Sequence, residues 1–491
     1  MYFDPRTLER PEGVFVGGAL KQAKGDPFPH LCPSDTTLSL AYPTATASDV
    51  DQAVEMAPEA LRASGWAELG AKARGRALLR WADLITAHAE DLAALEAVSS
   101  SRAYKEVLAR DVQVAAATLR NFVAYAETQE SAVTETAANQ LSLVTTEPHG
   151  VVAAIAPWNF PLILSSWKFA PALAAGNAVL LKPSELTPFS ALRLAELSLE
   201  AGLPPGLFSV LPGGAEVGRA MVTHPGVDYV TFTGSSATGA AIMADAAHHG
   251  LKPVSLELGG KGAQLVFDDA PNLSKVADLV ARGVIMNAGQ VCFAGSRLVV
   301  HAAVKDQLLA EIADRMKDVE IGPTWSDRTT LAPIINSTQI NRIEGIVNDA
   351  SAQGAVRLLG GERLDAPNIN AFAPTILDDV RPGNPAFDQE VFGPVLSVDT
   401  FEDFEQGVAK ANHPEYGLAT AVHTKSLDRA MLAARKIESG TVWINHWGRG
   451  EDMTSPFGGV KRSGIGKDLG RAGYEKYLKS KSVWVELGDP S

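Results

Sequence analysis

The sequence predicts an α/β protein made of two successive strand–helix units and a small extra β element. Three observations carry this. From about residue 143, short apolar runs alternate with helical ones, the pattern of a parallel sheet wrapped by helices. The alternation starts a second cycle after Glu257. Two alternating segments, QLSLVTTEP (140–148) and KSKSVWVEL (479–487), fall in no obvious strand–helix–strand unit. They could pair with each other or with another subunit. The length of 491 residues also exceeds what one core usually serves.

In chain order, residues 47–130 read as helical, with Ser48 as the predicted N-cap and RGRALLRWADLITAHAEDLAALEAV (74–98) apolar at three and four spacing. The first strands are read in GVVAAIAP, AVLLKPS, LFSVLP, YVTFTGS and KPVSLELGG. The second cycle runs from AQLVFDD through RLVVHAAV to GTVWIN. A net charge of −14 with no Lys/Arg-rich run argues against nucleic acid or an anionic membrane as partner. No stretch has the roughly 18 apolar residues of a spanning helix. The start MYFDPRTLERPEG lacks signal-peptide features, and the two cysteines, far apart, suggest free thiols, so a cytoplasmic location is expected.

The turns carry the chemistry. In YVTFTGSSATG a strand runs into Gly234 and Gly239 and then a helix, either a plain turn or a phosphate cradle of backbone N–H groups. It is not the usual G-x-G-x-x-G. Lys182 and Glu185, in LLKPSE, are either solvated loop charges or holders of ribose hydroxyls. Cys292, in NAGQVCFAG, is either a small buried hydrophobe or a nucleophile. A nucleophile needs a base and oxyanion donors, for which Glu257 in SLELGGK and Asn159 in PWNFP are candidates.

Taken together, PWNFP at 157, KPSE at 182, FTGS at 232, LELGGK at 257, GQVCFAGSR at 289, EVFGPV at 390, YGL at 416, GTVWIN at 440 and PFGGVKRSGIG at 456 resemble the NAD(P)-dependent aldehyde dehydrogenase superfamily, over nearly the whole chain. The resemblance implies the aldehyde dehydrogenase fold. A Rossmann-like dinucleotide-binding domain would span 1–128 and 147–256, a catalytic domain 257–462, and bridging or oligomerisation segments 129–146 and 473–491. It implies that Cys292 attacks the aldehyde, that Asn159 and the Cys292 backbone N–H hold the oxyanion, and that Glu257 activates water to hydrolyse the thioester. Lys168 and Asp468 would form a proton path. NAD would be the cofactor, with NADP second, near Ile155, Pro157, Trp158, Lys182, Ser184, Glu185, Gly214, Phe232, Gly234, Ser235, Leu258, Gly259, Glu390 and Phe392. No metal is expected, and the assembly would be a homodimer or homotetramer.

Two stretches depart from the family pattern. EAVSSSRA (96–103) replaces an acidic residue followed by Gly-Lys-Pro in the region of the entrance helix, and Asp468 replaces a Glu. A non-enzymatic relative would have lost the nucleophile or cofactor glycines, and a CoA-acylating enzyme could dispense with Glu257. For the substrate, the resemblance places Phe160, Trp167, Met286, Phe293, Trp447, Glu451, Asp452 and Phe457 around the tunnel. Two carboxylates among aromatic faces suit an amino- or guanidino-aldehyde; broad aliphatic or aromatic specificity is the alternative.

Overall fold

The computed structural model describes residues 2–488. Met1 and residues 489–491, the ends of the expected 1–128 and 473–491 segments, lie outside the described residues. The larger sheet has five parallel strands in the spatial order Phe208–Val210, Ala178–Lys182, Val151–Ile155, Tyr229–Thr233 and Val254–Glu257. Chain order therefore reverses between 151–155 and 229–233, and a crevice opens there beyond the strands' carboxyl ends. Val14–Val16 extends one edge antiparallel to Phe208–Val210. Gly464–Ile465 returns from far along the chain to close the other, with Glu257 opposite Gly464.

The second sheet runs 356–359, 375–378, 395–401, 297–301, 263–266, 419–423 and 441–444. Its central strands are parallel and apolar because both faces are covered. The two orphan segments pair within the chain: Leu478–Glu486 lies antiparallel to Gln140–Pro148, with Ser482 opposite Val144, and Ala132–Thr134 adds a third strand. No helix among the described residues is long and apolar enough to cross a membrane.

The first helix, Ala47–Ser64, is capped by Thr46 rather than by Ser48. The Thr46 hydroxyl accepts from the Asp49 N–H, and the Asp49 carboxylate accepts from the Thr46 N–H at 2.8 Å, a reciprocal box that Ser48, already inside the helix, cannot make. Helix Pro161–Ala174 is buried on every side, as a helix apolar all round must be. Phe160 offers no side-chain cap, so buried Glu96 supplies one, its carboxylate accepting the Leu162 N–H at 3.0 Å. Burial drives the Glu96 carboxyl well above its usual range.

The departing stretch at 96–103 thus holds the central helix. It also supplies Arg102, buried and paired with Asp111 by two hydrogen bonds at 2.7 and 3.1 Å. Asp111 ends a π-helical turn, Val107–Asp111, at the start of helix Val112–Glu127.

Candidate active site

Cys292 follows a tight loop in which Asn287, Ala288 and Gly289 take positive φ. At Gly289 (φ 69°) a Cβ would fall 2.1 Å from the Gly393 carbonyl oxygen, so only glycine fits. Buried Gln290 fixes the loop: its amide donates to the Asn287 and Pro333 carbonyls at 2.9 and 3.2 Å, and its oxygen accepts from Ile335 N–H at 3.0 Å. Asn159 Nδ2 donates to the Gln290 carbonyl at 3.0 Å, and Asn287 Nδ2 donates to the Asn159 carbonyl at 3.0 Å. The loop and the PWNFP turn are therefore tied together, with one N–H of the Asn159 amide still free to donate. Sequence reading missed Gln290 and Asn287, which act through backbone carbonyls that no spacing reveals.

Two cavities meet at Cys292. On one side it is joined by Pro157, Trp158, Gly234, Ser235, Glu390 and Phe392. On the other it is joined by Phe160, Trp167, Phe293, Asp452 and Phe457. Burial, then the carboxylates of Glu390 and Glu257, push the Cys292 thiol up. Glu257 ends its strand buried, with neither carboxylate oxygen hydrogen-bonded. Burial, then Asp468, raises its carboxyl well above the usual range, as a base working near neutral pH requires.

Beneath it lies an ionic cluster. Lys168 Nζ stands 3.6 Å from Asp468 and 3.3 Å from the Thr231 hydroxyl. Lys476 also donates to Asp468, and to Ser255 Oγ at 3.0 Å. The shorter Asp468 stands within ion-pair reach of Lys168 but beyond hydrogen-bond distance, and Lys476 is its second lysine. Burial opposes its ionisation, but Lys168 and Lys476 hold its carboxyl below the usual range. Burial lowers Lys168 to about 8.

The first cavity opens at the sheet's switch point. Helix Ser236–His248 begins there; Ser235 caps it, its hydroxyl accepting from Thr238 N–H at 3.2 Å. Thr233 Oγ1 is buried in the wall without a partner. Glu390 accepts from Gly260 N–H at 3.0 Å, and burial lifts it to about 7. A Cβ at Gly259 would meet the Glu390 carboxylate at 2.2 Å. The Trp158 and Phe392 rings meet edge to face at 5.3 Å.

Gln339 and Arg342 join this wall by bonding the Phe392, Val391 and Glu390 carbonyls. Lys182 is buried and donates to the Pro183 and Gly213 carbonyls at 3.0 and 2.6 Å, with Glu185 3.6 Å away. Ser184 Oγ accepts from Leu186 N–H, and Gly214 precedes helix Ala215–Thr223. Ile155 and Phe232 are buried near their strands' carboxyl ends. A helix N-terminus, a glycine turn and carboxylates at the crevice make a site that fits a dinucleotide.

In the second cavity the structure gathers Phe160, Trp167, Phe293 and Phe457, with Asp452 in the wall. Ile163 and Leu164 join them, a set legible in hindsight because 160, 163, 164 and 167 share a helix face. Met286 instead lines a neighbouring recess with Arg102, Arg110 and Arg282, because the chain turns at the end of helix Leu273–Ile285. Trp447 stands behind the wall, donating to the Phe293 carbonyl at 3.0 Å. Glu451 is exposed outside it.

Asp452 is engaged: it accepts from Thr454 N–H and Oγ1 at 2.8 and 2.7 Å, with Arg449 3.5 Å away. Burial opposes its ionisation, but the Ser455 and Thr454 hydrogen bonds hold it low. The expected pair of free carboxylates does not form.

The Aldehyde dehydrogenase family profile matches residues 20–483. The NADP/NAD-dependent aldehyde dehydrogenase PuuC of Escherichia coli (strain K12) is 39% identical over 441 residues, 89% of this chain and 88% of its own. A P. syringae structure of AldA indole-3-acetaldehyde dehydrogenase in complex with NAD+ and IAA superposes with TM-score 0.96 at 37% identity, covering 98% of each chain. The gamma-glutamyl-gamma-aminobutyraldehyde dehydrogenase structure from Burkholderia cenocepacia J2315 gives TM-score 0.96 at 38% identity, covering 99% of this chain and 98% of that one. The chain belongs to the aldehyde dehydrogenase family. The expectations of that fold, of an enzyme acting on aldehydes and of a nicotinamide cofactor stand with this membership.

Proposed function

We propose that the protein oxidises an aldehyde to a carboxylic acid with NAD, with Cys292 as nucleophile. The observation that carries this is the position of Cys292 where the dinucleotide crevice and the aromatic cavity meet. Cys292 Sγ adds to the aldehyde carbon, its proton passing to water in the open cavity, and gives a thiohemiacetal. Its oxyanion is held by the Asn159 side-chain amide and the Cys292 backbone N–H. A nicotinamide bound in the crevice supplies the hydride acceptor.

The resulting thioester on Cys292 is attacked by water whose proton passes to Glu257. The C–S bond breaks, and acid and thiol are released. Trp158 and Phe392 frame the crevice, Glu390 lies along it, and Lys182 and Glu185 lie toward the ribose end. Lys168 and Asp468 offer the Glu257 proton an exit.

For the substrate we infer a bulky aldehyde. The aromatic wall of Phe160, Trp167, Phe293 and Phe457 supports this reading, as do relatives whose names carry an indole aldehyde and an amino-aldehyde. Assembly as a homodimer or homotetramer is proposed from the three-stranded sheet that leaves Val133, Trp484 and Val485 exposed. A cytoplasmic location fits two free cysteines.

The test is rapid kinetics with an aldehyde and NAD. Cys292→Ala abolishes NADH formation while NAD still binds. Glu257→Gln keeps a first-turnover burst while steady turnover falls by about 10² or more. Turnover by Cys292→Ala at a tenth of wild type would sink the assignment.

A further inference from the structure

The cavity that receives the aldehyde holds two arginines whose donors the protein leaves partly unused. Arg449 lines it with a side chain only 7% exposed. One terminal nitrogen donates to the Asp452 and Ser455 carbonyls at 2.9 and 2.8 Å, and the guanidinium lies 5.3 Å from the Phe457 ring centroid. Its Nε is buried and has no partner. A buried, unpaired guanidinium N–H costs free energy unless an acceptor arrives.

Arg110 lines the same cavity from the π-helical turn Val107–Asp111. Such a turn inserts a residue into the helical repeat and so re-aims the side chains on it. Val114, four residues on, shares the wall. Among the described residues, the carboxylate within ion-pair reach of Arg110 is Asp111, at 4.0 Å, and Arg102 already holds that group at 2.7 and 3.1 Å. Arg110 is therefore half-exposed, charged and without a strong acceptor. Arg282 lines the adjoining recess with it and adds positive potential, while Arg102 there is already paired with Asp111 and Glu106. The carboxylate in the cavity wall, Asp452, is taken up by Thr454, Ser455 and Arg449.

We propose that Arg110 and Arg449 form an anion-recognising subsite, and that the preferred substrates are aldehydes carrying a carboxylate away from the reacting carbon. This rests on Cys292 as the reacting thiol, since the same cavity reaches it. Guanidinium forks match carboxylate geometry and hold it more strongly than neutral donors do. The aromatic side chains that line the same cavity pack on the connecting chain. The substrate's second charge thus replaces the missing acceptor of Arg449 Nε and gives Arg110 its partner.

The test is kcat/KM with NAD for three aldehydes of equal chain length: one ending in a carboxylate, one in a methyl group, one in an amine. Several lengths are compared, in wild type, Arg110→Met, Arg110→Lys and Arg449→Lys. We expect wild type to favour the carboxylate over the methyl end by about tenfold or more, with the amine disfavoured. In Arg110→Met that ratio falls to about threefold or less, and Arg110→Lys restores part of it. Arg449→Lys lowers the ratio too, through KM.

Because the readout is a ratio within each variant, a general loss of folding or turnover does not imitate it. Oxidation of the methyl-ended aldehyde with no preference for the carboxylate overturns this inference and leaves the dehydrogenase reading standing. So does a preference for the amine, or a ratio unchanged in Arg110→Met. Failure to oxidise any aldehyde overturns both.

Discussion

Replacing Asp468 by Asn tests the buried charge cluster under Glu257. Asp468 is 1% exposed and carries two lysines, Lys168 at 3.6 Å and Lys476 closer still. At an effective dielectric constant of about 20, opposite unit charges 3.6 Å apart attract by roughly 5 kcal/mol. Most of that offsets the burial of the ions. Removing one partner therefore exposes the burial cost of the other, about 3–5 kcal/mol. Set against a typical domain stability of about 5–15 kcal/mol, the change is large.

The loss depends on pH, with a definite sign. In the wild type Lys168 is already lowered from its ordinary 10.5 to about 8 by burial, with Asp468 the first group opposing the fall. Without Asp468 it falls further, so the folded variant releases a proton that the folded wild type still keeps below about pH 8. The variant's deficit is thus greatest in mild acid and narrows toward pH 8, leaving the share due to Lys476. Urea unfolding of both proteins at pH 6, 7 and 9, followed by tryptophan fluorescence, measures it. A deficit under about 1 kcal/mol at pH 7, or one that grows between pH 6 and 9, refutes the argument.

Three further outcomes are expected. Iodoacetamide modifies Cys292 and spares buried Cys32; the rate climbs with pH, and in Glu390→Gln the climb starts at lower pH because a carboxylate that disfavours the thiolate is gone. An unchanged profile, read by mass spectrometry, removes Glu390 from that role. NAD is favoured over NADP by about tenfold in kcat/KM, and Glu185→Gln narrows the gap to about threefold, since the carboxylate no longer repels a 2′-phosphate; an equal gap in the variant counts against Glu185. Deleting residues 481–491 strips most of the strand Leu478–Glu486 and lowers the oligomer mass in light scattering; native mass after truncation contradicts assembly through this sheet.

The sequence by itself determined the fold class and the aldehyde dehydrogenase family. Strand runs such as VVAAI and YVTFT are apolar because both faces of a parallel sheet are covered, so they read directly. Cys292, Glu257 and Asn159 could be singled out as candidates because each sits in a compact local motif at a turn. The pairing of 140–148 with 478–486 was half legible, since alternation marks a strand but not its partner.

Tertiary structure alone decided what depends on long-range approach. Gln290 and Asn287 hold the Cys292 loop through carbonyls supplied by distant turns. Asp468 meets Lys168 from far along the chain, and the short helix Gly470–Glu475 turns Lys476 back onto the same carboxylate. The tip carboxylates could not be assigned from sequence, because whether Asp452 faces a ligand or bonds its own turn is a matter of a few backbone angles. Arg110 escaped notice for the same reason: one π-helical turn, held by a buried Arg102–Asp111 pair, aims it into the cavity. Periodicity records which face of a regular helix is apolar, and says nothing once the helix departs from its period.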